Sequence, residues 1–277
     1  MSEIKFMPFL KGPADGTDHM GERKEKLPME LGILINRYVD PFLGRGHILF
    51  DVMSVPGMTE AVVSDINSEI INTYRQVQCH VDDLLDELQV MENKFAERTY
   101  EEKAAYYKTI LFRYRHLCES ARTDIDMQKA AMYIFLNAAE YITQICGDGY
   151  TVSSRGTKII LPAQAMKLTR VCDERTLRIC SKLLKNVKIL CCDFRGCLEY
   201  VNNKTLLYLD PPSAKSQKKT AYSFTEKDRQ SVLSICKIAR SLGAMVLSKD
   251  TCDKQKQAHE NHKNHTRVDK HGSKSHT

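Results

Sequence analysis

Three aspartates, each set where an apolar run stops, and one glycine-containing bend are the features of this chain that could do chemistry. Asp65 follows Ala61-Val62-Val63-Ser64, Asp193 follows Val187 to Cys192, and Asp210 follows Thr205 to Leu209. Short apolar runs of this kind predict buried parallel strands, and a carboxylate at the end of such a strand faces the cleft where α/β proteins bind ligands. The bend is Asp40-Pro41-Phe42-Leu43-Gly44-Arg45-Gly46. Its glycines let backbone come close to a bound molecule, although a lone Gly-x-Gly also serves plain tight turns. Asp65, about 20 residues past Gly46, is placed to accept hydrogen bonds from ribose hydroxyls. The two together point to a cofactor containing adenosine.

Alternating elements must hold these residues. Leu27 to Asn36 reads as a short helix, Arg37 to Asp40 as a buried strand, and His47 to Met53 as the helix after the glycine bend. A second strand over Ala61 to Ser64 and a helix over Glu69 to Val77 repeat the unit. From Val81 to about residue 144 apolar positions recur at helical intervals, through Leu84, Leu88, Tyr106, Leu111, Met132 and Phe135, which predicts a helical insertion. Cys146 to Leu161, with Gly147, Gly149 and Gly156 among β-branched residues, suits a β-hairpin or an irregular loop. A helix returns over Asp173 to Leu184, followed by strands at 187–192 and 205–209. Thr225 with Asp228 starts a helix running to Ser241, and Ala244 to Ser248 is one more strand. Residues 251–277 are polar and are expected to stay disordered.

The bulk properties set wide bounds. At 277 residues, with 42% hydrophobic and 27% charged side chains, the chain is long enough for one core plus an accessory module. No apolar run approaches the roughly 20 residues that span a bilayer, and no secretory signal is visible, so the expected address is the cytoplasm. The ten cysteines lie scattered in apolar stretches without a C-x-x-C pair, as reduced thiols packed like small hydrophobes would. A net charge of +6 permits a polyanionic partner without demanding one. His259, His262 and His265, near Cys252, have a spacing that could ligate zinc, but they sit in a stretch without a core, and no metal is expected.

Phe9-Leu10-Lys11, Asp40 to Gly46, Ser64-Asp65-Ile66-Asn67 followed by Tyr74, Leu136-Asn137, Cys192-Asp193-Phe194 and Asp210-Pro211-Pro212 occur in one order. In that order and spacing the chain resembles the Dam-type DNA adenine-N6 methyltransferases, over about residues 6 to 250. The resemblance implies an α/β, Rossmann-like methyltransferase sheet formed by residues 1–75 and 186–250, with a target-recognition insertion at 76–185. It implies S-adenosylmethionine as cofactor, with Phe9, Leu10, Lys11, Asp40, Phe42, Gly44, Gly46 and Asn67 lining its site. Asp65 would take the ribose, and Asp193 with Phe194 the adenine ring. Asp210-Pro211-Pro212-Ser213 would be the active-site tetrapeptide. There the Asp210 carboxylate and the Pro211 carbonyl accept hydrogen bonds from the exocyclic amine of a flipped adenine, concentrating electron density on its nitrogen. The implied partner is double-stranded DNA, met by a monomer through Arg113, Arg115, Arg122, Tyr150 and Arg155, although a solvated helix face would also account for the basic residues.

The chain departs from the family pattern at several places. Ser213 replaces the aromatic that stacks on the extruded base, a contact worth roughly 1–3 kcal/mol. Gly12 to Gly16 replace a W-A-G-G-K segment. Thr151 and Ser153 stand where a base-reading Arg and its supporting Asn are expected, so sequence specificity should be weakened or altered. No apolar run after Ser248 can form the family's closing strand pair, which suggests a truncated or frame-disrupted end. A catalytically inactive relative that binds only cofactor or DNA, or an RNA methyltransferase on the same scaffold, are the alternatives these departures raise.

Overall fold

A computed structural model of the chain describes residues 30–119, 126–145, 173–212 and 224–248. Five strands, β1 (Arg37–Asp40), β2 (Glu60–Asp65), β3 (Val187–Cys191), β4 (Thr205–Leu209) and β5 (Met245–Ser248), form one sheet in the order β3-β2-β1-β4-β5. Every pairing is parallel. All five carboxyl ends therefore lie along one edge. Chain order reverses between β1 and β4, and in an open parallel sheet that switch point is where a crevice forms.

The sheet is covered on both faces, as parallel sheets must be. Successive strand side chains point to opposite faces, so Tyr38, Ala61, Val63, Ile189, Leu206 and Tyr208 join the larger core. Val39, Leu207 and Leu209 join the smaller one. Helix α1 (His47–Met53), α2 (Ser68–Cys79) and α6 (Glu174–Leu184) pack on the first side, and α7 (Glu226–Ser241) on the second. Helix α7 buries Val232, Ile235, Cys236 and Ala239, the i, i+3, i+4, i+7 stripe of an amphipathic helix. Its start is fixed by the capping box read from the sequence: the Thr225 side chain accepts from the Asp228 N–H, and the Asp228 carboxylate returns to the Thr225 N–H at 2.7 Å.

The predicted insertion consists of α3 (Val81–Ala96), α4 (Tyr100–Cys118) and α5 (Asp126–Ile145). Leu84, Leu88, Met91 and Phe95 of α3 and Ala131, Ile134, Phe135 and Ala138 of α5 are buried in the same cluster as the sheet residues. The insertion thus shares the main core. Lys129, 8% exposed, ties it to α2 by reaching Asp126 at 3.0 Å and Glu69 at 3.5 Å.

Two local features differ from the sequence reading. Residues 30–35 form a tight turn closed by a bridge between Leu31 and Ile35, where a helix was predicted. The Glu30 carbonyl accepts from the N–H of Ile33, Leu34 and Ile35, and Gly32 sits at φ 76, where a Cβ would lie 2.0 Å from the Pro56 carbonyl oxygen. A left-handed glycine pressed against backbone breaks the helix that the Leu31/Ile35 spacing suggests. The other is a 3-10 helix over Phe194–Tyr200, which the sequence did not reveal. The predicted hairpin at 146–161, the segment before residue 30 and the polar residues after 248 lie outside the described residues.

Candidate active site

The carboxyl edge of the sheet collects the strand-end acids. Asp40 ends β1, Asp65 ends β2, Asp193 lies two residues past β3 and Asp210 one past β4. Asp40 is 2% exposed, and its charge senses both Asp210 and Asp65, so these three carboxyls share one region. Burial is the first cause of its shift and raises its pKa to about 7, against the Phe42 N–H (2.9 Å) and the Tyr38 hydroxyl (3.0 Å) that donate to it. The Tyr-x-Asp pattern recurs on the neighbouring strand, where the Tyr208 hydroxyl approaches Asp210 at 3.5 Å. The sequence reading assigned these tyrosines no role, although an alternation of two puts each on its aspartate's side of the strand.

Asp65 holds the glycine bend. One carboxylate oxygen accepts from the Gly44 N–H and the other from the Asn67 N–H, both at 2.9 Å. Burial raises the Asp65 pKa, opposed by the N–H groups of Asn67, Gly44 and Ile66. With up to three N–H donors on four lone-pair sites, the carboxylate keeps room for one further donor. Asn67 spends its side-chain oxygen on capping α2, accepting from the Glu69 N–H at 3.0 Å, while its amide nitrogen stays available as a donor. Gly44 sits at φ 46, and among the described residues the nearest neighbour of a built Cβ there is the Phe42 carbonyl oxygen at 3.8 Å. Gly46, at φ 64, begins α1, and a Cβ there would lie 2.3 Å from the Tyr74 hydroxyl. Among the described residues the bend is therefore a cradle with room on the Gly44 side and a packed floor under Gly46.

A cluster of aromatic rings borders it. Phe42 stacks on Phe194 with centroids 5.1 Å apart, and Phe224 meets them at 5.9 and 5.8 Å. Asp193 accepts from the Arg195 N–H at 2.9 Å, and its two oxygens are held by the Arg195 guanidinium at 3.0 and 2.8 Å. Ile66, between Asp65 and Asn67, is 49% exposed, an apolar surface at the mouth that an aromatic ring could cover. Phe224, Arg195 and Ile66 were not singled out as site residues in the sequence. For Ile66 the signal was present, as an apolar residue directly after a strand-end acid.

The remaining predicted residues are less gathered. Arg113 and Arg115 are exposed on α4, and residues two apart on a helix do not share a face. Arg113 also donates to Gln128 of α5 at 3.0 Å. Phe9, Leu10, Lys11, Arg122, Tyr150, Arg155 and Ser213 lie outside the described residues. Among the described residues no helix is long and apolar enough to cross a membrane.

Comparison with known proteins narrows what such a site does. The profile of the D12 class of N6 adenine-specific DNA methyltransferases matches residues 21–270. The chain is 33% identical over 229 residues to the Type II methyltransferase M.MjaIII of Methanocaldococcus jannaschii, covering 81% of this chain and 75% of that one. It is 23% identical to the DNA adenine methylase of Haemophilus influenzae, covering 80% and 68%. It is likewise 23% identical to the Type II methyltransferase M1.LlaDCHI of Lactococcus lactis subsp. cremoris, covering 76% and 67%. A parallel sheet whose switch-point edge carries a glycine bend, strand-end acids and an Asp-Pro-Pro turn agrees with these matches, and the chain belongs to the D12 class of N6 adenine-specific DNA methyltransferases.

Proposed function

We propose that the cleft methylates adenine N6 in double-stranded DNA, using S-adenosylmethionine, with Asp210 and the Pro211 carbonyl orienting the amine. The observation that carries this reading is the convergence of Asp40, Asp65 and Asp210 on one edge beside the left-handed glycine bend that Asp65 holds. Those residues suit this cofactor. A ribose hydroxyl can donate to the remaining acceptor site of Asp65, an adenine can lie by Ile66 and Phe194 with its amine toward Asp193, and a region of carboxylates favours a cationic sulfonium and ammonium. When bound, S-adenosylmethionine supplies a methyl group activated by the positive sulfur.

As the N–CH3 bond would form and the S–CH3 bond break, the sulfur would leave as a neutral thioether and N6 would release one proton, which Asp210 could accept and pass to solvent. Asp210 and the Pro211 carbonyl, both acceptors, take the two N–H bonds of the exocyclic amine and turn its lone pair toward the methyl group. Adenine must leave the duplex to reach them, because a stacked base hides its amine from a recessed ledge. Helices α3 to α5, with the segment 146–172 after them, would carry target recognition. Two of the relatives are named Type II methyltransferases, and a role beside a restriction enzyme is the matching expectation.

The test is methyl transfer from labelled S-adenosylmethionine to unmethylated DNA by the full chain, with N6-methyladenine identified in the digest. Asp210→Ala should abolish it. No incorporation at high enzyme concentration, or incorporation into RNA alone, would overturn the proposal.

A further inference from the structure

The first turn of α7 reaches both halves of the cleft with adjacent side chains. Arg229 donates from Nη2 to the Pro212 carbonyl at 3.3 Å, and its guanidinium lies 5.5 Å from the centroid of Phe224. Asp228, one residue earlier, pairs with the Arg195 guanidinium that holds Asp193. Asp228 is itself fixed, since its carboxylate accepts from the Thr225 N–H and hydroxyl, both at 2.7 Å. The rings of Phe42, Phe194 and Phe224 fill the space between the two arms.

The Asp-Pro-Pro ledge needs such an anchor. Two successive prolines bring no N–H, so neither can be held by donating a hydrogen bond. Their carbonyls can only accept, and a donor must come from another element. A charged guanidinium gives a stronger hydrogen bond than a neutral donor. By taking the Pro212 carbonyl it leaves Asp210 and the Pro211 carbonyl to face the amine.

We propose that Arg229 is a positioning residue that sets the Asp210-Pro211-Pro212 ledge, and that the Asp228–Arg195 pair is its counterpart on the Asp193 side. The opening turn of α7 then fixes the distance between the reacting amine and the methyl donor. The inference rests on the function proposed above.

The experiment compares the full chain with Arg229→Gln, Arg229→Lys and Arg195→Gln. The readouts are kcat and KM on DNA, equilibrium binding of S-adenosylmethionine, and amide hydrogen exchange of peptides covering residues 205–212. Loss of a charge-assisted hydrogen bond predicts a kcat lowered about tenfold to a hundredfold in Arg229→Gln, with cofactor affinity held within about twofold. Exchange at the end of β4 should quicken in that variant, and Arg229→Lys should recover part of both effects. Arg195→Gln should instead weaken cofactor binding, by about tenfold. The positioning role is overturned if Arg229→Gln keeps its kcat, loses cofactor affinity as much as Arg195→Gln does, or leaves exchange at 205–212 unchanged. Should the unaltered chain fail to methylate DNA, the proposed function falls, while the exchange measurement still decides for or against the anchor.

Discussion

Asp40 makes this protein's stability depend on pH in a direction opposite to that of an ordinary paired carboxylate. Its carboxyl is buried at the end of β1 among Tyr38, Asp65 and Asp210, and its pKa rises from 3.8 to about 7. In the unfolded chain the proton leaves near pH 4; in the folded protein it stays until about pH 7. Between those values the unfolded chain binds fewer protons, so folding stability falls as pH rises and then levels off. The full span is worth about 4 kcal/mol, of which more than half falls between pH 5 and pH 7.5. Asp40→Asn tests this. The amide keeps an oxygen for the Phe42 N–H, offers its nitrogen to the Tyr38 hydroxyl, and does not titrate. Urea unfolding of both proteins at several pH values gives the difference, in which the groups they share cancel. The stability of Asp40→Asn relative to the unaltered chain should climb by about 2–3 kcal/mol from pH 5 to pH 7.5. Curves that stay parallel within about 0.5 kcal/mol would refute the reasoning.

Other substitutions probe the cradle, the core and the ledge. Gly46→Ala should destabilise by more than the ~1–2 kcal/mol of a left-handed L-residue, because its Cβ meets the Tyr74 hydroxyl, and adding Tyr74→Phe should recover part of the melting temperature. Lys129→Ala should cost about 3–5 kcal/mol in urea unfolding, since it leaves Glu69 and Asp126 without their shared cation between α2 and α5. Ser213→Tyr should raise the methylation rate about tenfold to a hundredfold by restoring a surface on which the extruded adenine stacks; an unchanged rate would count against stacking as the missing contribution.

Much of the architecture was legible because it is written in local pattern. Apolar runs ending in an acid gave β2, β3 and β4 to within a residue or two, and i, i+3, i+4 spacing gave α6 and α7 with the Thr225–Asp228 cap. The failures were of two kinds. Leu31 and Ile35 have helical spacing yet close a turn, because Gly32 must fit against the Pro56 carbonyl, 24 residues away in sequence. Nor can the engagement of Asp193 by Arg195, and of Arg195 by Asp228, be seen in a segment read alone.

By itself the sequence determined which residues end strands, where the backbone can bend left-handed, and which helices have one apolar face, since each follows from side-chain period and local sterics. Only the tertiary structure decided that β1 lies between β2 and β4. That placement brings Asp40, Asp65 and Asp210 close enough for burial and like charge to move a pKa, and sets α7 against the Asp-Pro-Pro turn. Strand order and helix docking are chosen by burying two faces of one sheet at once, a free energy summed over the whole core that no single stretch of residues contains.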